Sequence, residues 1–203
     1  MIKKTYSNEW HKFTSFYRNY FIVCVVLFLA IVILTVVGTK SLDRKTVEDM
    51  MAGIMKSFED KGMLQEQAAY ITMFKIFFNN LFACILAIVF GFIPYVLPLV
   101  VLIGNGAVVG VLLGAISLNG GSIASWVLRG LVPHGITEMT AVLLSIGIGL
   151  FISTWLVKKI AGKETKTFGT VVKMVAQTFI AVILPLLVIS AVIEVYITPL
   201  FLT

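Results

Sequence analysis

"IASWVLRGLVPHGITEMTA", residues 123–141, is the stretch on which the fold turns. Between Lys75 and Lys158 the only formal charges are its Arg129 and Glu138. Residues 123–133 are apolar but too few to cross hydrocarbon, which takes about twenty helical residues for ~30 Å. Pro133 suits the first turn of a helix, where its missing N–H would have had no partner. Two readings follow. Either 123–133 crosses as a span of its own, or it is a re-entrant half-helix that turns back at Pro133 before a full span over 136–157. Broken backbone survives at membrane depth only when buried in protein or lining a cavity.

The rest of the chain decides between them. Of its 203 residues 59% are hydrophobic and 13% charged, and the mean hydropathy is +1.02, whereas an ordinary soluble domain is roughly a quarter charged. This is the composition of a membrane protein, read as a single membrane domain over 1–203. Apolar runs at 20–38, 73–92, 97–118, 136–157 and 171–196 are long enough to span. The run at 20–38 is long for the apolar part of a signal peptide and is read as a retained span. "FIPYVLP" makes 73–92 and 97–118 a tight helical hairpin, and Pro185 marks a kink in the last span. With five spans, the basic residues before residue 20 and the loop 158–170, with Lys158, Lys159, Lys163 and Lys166, fall on one side, as the positive-inside rule requires. A separate crossing by 123–133 would divide them, so the half-helix reading is adopted. The N-terminus and the basic loop are expected to face the cytoplasm of a bacterium, while 39–72, "NGGS" and the C-terminus face outward.

Two segments carry amphipathic patterns. Tyr6, Trp10, Phe13, Tyr17 and Tyr20 recur at helical spacing among Lys3, Lys4, Lys12 and Arg18, which predicts an interfacial helix over 1–19 lying on the lipid bilayer. Val47, Met50, Met51, Ile54, Met55 and Phe58 form a stripe opposite Glu48, Asp49, Lys56, Glu59 and Asp60, which predicts a helix within 39–72. Thr46 with Asp49 suggests a capping box, and Gly62 a stop. Cys24 and Cys84 sit in apolar runs without metal-ligand spacing and are read as packing residues. The charge of +6 flanks spans rather than forming a stripe with stacking aromatics, so no nucleic-acid partner is expected.

Polar residues inside the spans are the candidates for function. Asn79 and Asn80 lie in the second span, Asn105 in the third. Gly106, Gly110 and Gly114 follow at steps of four and make a smooth face for close helix packing. His134 and Glu138, i and i+4, share a helix face, and Gly135 leaves room beside them. If the half-helix folds back, Arg129 is the natural partner of Glu138, because an unpaired charge in hydrocarbon is costly. The group Asn79, Asn80, Asn105, Arg129, Pro133, His134, Gly135 and Glu138 is either a satisfied network that pins the broken helix or a pocket for a cation, a proton or a headgroup. No catalytic set is visible: the only other histidine is His11, so an HExxH metalloprotease site is excluded, and there is no GxSxG. One histidine and one glutamate supply half a metal site, and neither metal nor cofactor is expected.

"FFNN" at 77–80, "GFIP" at 91–94, "NG" followed by a further glycine at 105–110, and above all "PHGITE" at 133–138 resemble the stage II sporulation protein M family of small integral membrane proteins. The resemblance implies an all-α polytopic bundle with five transmembrane helices. It also implies a role similar to that of a scaffold gathering peptidoglycan-degrading partners at the membrane of spore-forming bacteria during engulfment. The first expectation for function is therefore a non-enzymatic membrane scaffold for a cell-wall hydrolase complex. The alternative is a small transporter or channel built around Asn105, Arg129, His134 and Glu138, for which so short a chain would dimerise.

Overall fold

A computed structural model describes residues 2–62 and 68–202. Among them every regular element is helical, and five helices are long and apolar enough to cross a membrane. We number the helices α1 (Lys3–Lys40), α2 (Arg44–Asp60), α3 (Ala69–Phe92), α4 (Val96–Leu118), α5 (Ile123–Ile160) and α6 (Phe168–Ile197). Residues 63–67 of the expected 39–72 segment lie outside the described residues.

The helix α5 is the axis of the bundle. Every residue from Ala141 to Ser153 is buried, which fits a helix that is apolar on all sides and so packs all round. Contacts to α1, α3 and α6 surround it. Gly149 admits the closest of them: a Cβ there would stand 2.3 Å from the Ala87 carbonyl oxygen, and one on Gly91 would stand 2.4 Å from that of Gly149. Ser153 Oγ then donates to the Gly91 carbonyl at 2.9 Å and accepts the Tyr95 N–H at 3.1 Å, pinning the "FIPYVLP" turn to α5. Tyr95 is held there with φ of 63°, in the left-handed region. Outward-facing Ile22, Val26, Leu29 and Ile33 on α1 and Phe74, Phe78 and Phe82 on α3 are exposed at helical spacing, as a lipid-facing surface requires.

Three expectations are corrected. Residues 123–133 do not turn back at Pro133. They run into the fourth span as one helix through a π-turn at Val127–Leu131. That wide turn rearranges the backbone bonds where Pro133 can donate none, so the helix passes through. Because the segment belongs to the fourth span and adds no crossing, five spans and their alternation are kept. Of the segment expected as a separate interfacial helix over 1–19, residues 2–19 are described and are not separate. They continue into the first span through a π-turn at Phe13–Tyr17 and pack on the bundle. Glu9, only 6% exposed, accepts from Thr178 at 2.6 Å and from Lys12 at 2.6 Å, and Tyr17 sits edge-on to Phe151 at 5.3 Å. Finally, Asp43 rather than the Thr46–Asp49 pair caps α2. Its carboxylate accepts from the Thr46 hydroxyl and from the Thr46 N–H at 3.0 Å, bonds that hold Asp43 below the usual carboxylate range.

The end of α2 is as expected, with Gly62 at φ of 66°, a conformation that costs glycine least. The glycine face of α4 packs within the chain against α1, so it is not free to serve a dimer. A Cβ on Gly110 would stand 2.5 Å from Thr35 Cβ and 2.9 Å from the Val32 carbonyl oxygen, whereas one on Gly104 of the same helix would meet nothing within 4 Å. Gly110→Ala should therefore lower stability by about 1–3 kcal/mol and Gly104→Ala should not. Thermal melting of both variants in detergent checks this, and equal melting temperatures would show that α1 and α4 are not in contact at this face.

Candidate functional site

The polar residues of the spans converge. Asn79 and Asn80 from α3, Asn105 from α4, His134, Gly135 and Glu138 from α5 and Glu194 from α6 line one cavity of about 910 Å³, and Gly53, Ile54, Ser57 and Phe58 of α2 form a further wall. The helix α2 thus buries part of its stripe against the bundle, through Val47, Met51, Ile54 and Phe58, while Met50 and Met55 remain exposed at its margins. Of its charged face, Asp49, Lys56, Glu59 and Asp60 are exposed, while Glu48, also exposed, lines a groove against the end of α4.

Within the cavity Asn80 of α3 and Ser190 of α6 are polar neighbours of the Glu138 carboxylate. The i to i+4 spacing of His134 and Glu138 aims both side chains at the same space, and the imidazole Nδ1 lies 3.2 Å from Thr198 Oγ1 just beyond α6. Ser190 Oγ also donates to the His134 carbonyl at 3.4 Å. Asn79 donates to Asn80 at 3.2 Å. Asn105 donates at 2.8 Å to the Val101 carbonyl of its own helix, so it contributes to the wall without bridging two spans.

Arg129 is not part of this group. It is exposed, beside Ser125, Trp126 and Phe201, and the ion pairs among the described residues are Glu9–Lys12, Arg44–Glu48 and Glu164–Lys166. With α5 unbroken, nine residues place Arg129 about 13 Å along the axis from Glu138. The fold-back that would have brought the two together does not occur. Pro133 acts through the backbone, one residue after the π-turn that precedes the motif.

Sequence reasoning missed Glu194. One ring nitrogen of His134, one carboxylate oxygen of Glu138 and one of Glu194 lie within 4.8 Å of one another. The signal was present, since Glu194 is the one acidic residue in the run 171–196, but it stands near the end of that run and reads as the edge of a span. A π-turn at Ile193–Ile197 begins beside it, and such turns often occur where a helix presents a functional group.

Glu138→Leu leaves Asn80 and Ser190 facing an alkyl group and should cost about 1–3 kcal/mol, whereas Glu138→Gln keeps both shape and hydrogen-bonding capacity and should melt near the wild type. A leucine variant as stable as the wild type would show that neither neighbour depends on the carboxylate.

Comparison with known proteins places the chain. No curated protein and no solved structure matches it. A family model, that of stage II sporulation protein M, matches residues 22–199, well beyond the motifs at 77–138 and taking in the first and last spans along with Glu194. With a match over most of its length and five helices suited to spanning, the chain is a multi-pass membrane protein that belongs to the stage II sporulation protein M family.

Proposed function

We propose that this protein works through the cavity at His134 and Glu138: it binds a small polar or cationic ligand inside the membrane and passes it between the two sides, with no covalent chemistry. The observation that supports this reading is the convergence of polar side chains from four spans on one space of about 910 Å³. Here two carboxylates and an imidazole face a shared volume, and intramembrane ionisable groups lining a cavity commonly mark a ligand pathway. Proteoliposomes loaded with pH-sensitive and divalent-sensitive dyes test it. Saturable proton or cation flux that Glu138→Gln abolishes without lowering the melting temperature is the expected result, and no flux of either kind removes the reading.

In the orientation that accompanies this reading the N-terminus is cytoplasmic. Lys12 donates to Gln177 at 2.9 Å, Lys166 lies 5.0 Å over the Phe16 ring, and Trp155 Nε1 donates to the Lys166 carbonyl at 3.3 Å. These contacts gather the N-terminal turns and the loop 158–167 at one end of the bundle, where the positive-inside rule puts the cytoplasm. The Lys166 N–H also holds Glu164 below its usual range, so that carboxylate is ionised there. On intact cells an impermeant thiol reagent should label a cysteine placed at Lys56 and spare one at Lys163. The opposite pattern inverts the topology and puts α2 in the cytoplasm.

A second reading, a scaffold for peptidoglycan-degrading partners, is favoured by α2. Its charged residues Asp49, Lys56, Glu59 and Asp60, with exposed Met55 alongside, form a surface that the bundle does not cover. Recovery of cell-wall hydrolases by pull-down from native membranes, lost on charge reversal at Asp49 and Lys56 and accompanied by no flux, would favour this reading over the first. A homodimer is proposed only with the transport reading, and its interface is not the glycine face of α4.

A further inference from the structure

The cavity contains a donor set more specific than a polar lining. We propose that His134, Glu138 and Glu194 bind one divalent cation of the first transition row, of the Mn²⁺ or Zn²⁺ class. The inference names a ligand for the cavity reading above and rests on it.

Three donors from two helices, α5 and α6, already lie within 4.8 Å of one another. Around a tetrahedral ion with bonds of about 2.1 Å, neighbouring ligands stand about 3.4 Å apart, so the set closes by up to roughly 1.4 Å when an ion binds, a distance within reach of side-chain rotation. The cavity leaves space for an ion, with the asparagines of α3 and α4 along its wall. Charge argues the same way. Two carboxylates share this volume, and none of the ion pairs among the described residues includes either. Lys61 lines the same cavity, Lys75 donates to the Gly62 carbonyl at 2.9 Å, and Arg129 lines a separate pocket. A divalent ion bound by both carboxylates and a neutral imidazole makes a site of zero net charge, the state that membrane interior favours.

The choice of a transition ion comes from the imidazole. Carboxylates and amide carbonyls alone would suit Mg²⁺, Ca²⁺ or Mn²⁺, whereas a nitrogen donor among them selects towards Fe²⁺ or Zn²⁺ and, with two carboxylates beside it, keeps Mn²⁺ within the set. The ring is also held as a ligand histidine is held. Thr198 Oγ1 donates to the Ile193 carbonyl at 3.3 Å and lies 3.2 Å from His134 Nδ1. A hydroxyl that spends its proton on the carbonyl accepts the Nδ1–H, and Nε2 then carries the lone pair. An outer hydrogen bond that fixes the tautomer and aims the other nitrogen is the usual support of a metal-binding histidine. Thr198 is thus a positioning residue.

Full-length protein in lipid nanodiscs, stripped with chelator, is titrated with Mn²⁺ and separately with Zn²⁺, and bound metal is counted after dialysis. The expected result is one ion per chain for the wild type and for Asp49→Asn on the outer face of α2. Glu138→Gln and Glu194→Gln should bind roughly tenfold more weakly or worse, and Thr198→Val about tenfold more weakly. A folded wild type that retains neither ion overturns the proposal, as does a Glu138→Gln/Glu194→Gln double variant that binds like the wild type. Should the variants fail to fold, electron spin-echo spectra of Mn²⁺ on the wild type decide alone: modulation from one imidazole nitrogen is expected, and its absence overturns the assignment. Proton flux by a protein that binds no metal leaves the cavity reading standing and removes only this one, whereas metal bound without any flux does the reverse.

Discussion

Two carboxylates and an imidazole cannot face lipid, and most of this structure follows from enclosing them. A charged side chain exposed at the centre of a helix in hydrocarbon costs about 2.5–3.5 kcal/mol or more. That cost is avoided only if Glu138 and Glu194 point into a volume closed by other spans. The most buried helix therefore carries the motif: α5 is surrounded from Ala141 to Ser153, directly after Glu138. The close approach of α3 to α5 through Gly91 and Gly149 and of α1 to α4 through Gly106, Gly110 and Gly114 holds the spans together. In hydrocarbon, where apolar burial gives no drive for helix association, such backbone contacts are a main source of cohesion.

Two of the π-turns belong to the same arrangement. One at Val127–Leu131 carries α5 past Pro133, and another begins beside Glu194 at Ile193–Ile197. Each shifts the phase of the side chains that follow it. The first precedes His134 and Glu138, and the second precedes Thr198, whose hydroxyl meets the His134 ring. Two of the four π-turns among the described residues thus lie where α5 and α6 present polar groups to each other, while those at Phe13–Tyr17 and Phe179–Ile183 lie elsewhere and the middle of α5 is regular.

Much of this was legible in the sequence because the bilayer enforces simple rules. Apolar run lengths placed the spans, glycines at steps of four marked a close helix contact, and i to i+4 spacing put His134 and Glu138 on one face with the asparagines as neighbours. What could not be read depended on the backbone or on distant packing. Pro133 signals a break when judged locally, but a π-turn upstream lets the helix run on, and with that the imagined partnership of Arg129 and Glu138 disappears. The aromatic and basic pattern before Tyr20 suits an interfacial helix equally well, and only the contacts of Glu9 and Tyr17 with α6 and α5 show it joined to the bundle. Glu194 was hidden by its position, 56 residues beyond Glu138 near the end of an apolar run. It enters the site only because α6 packs antiparallel beside α5.

The account stands on the meeting of Glu138 and Glu194 in one cavity, and pairwise cysteine crosslinking in native membranes measures that meeting most directly. With Cys24 and Cys84 replaced by serine, Glu138→Cys paired with Glu194→Cys should be joined within one chain by a short bifunctional thiol reagent, and Arg129→Cys paired with Glu194→Cys should not. Joining of the second pair and not the first would contradict the account, since it would mean that α5 folds back at Pro133 and that the two carboxylates never share a space.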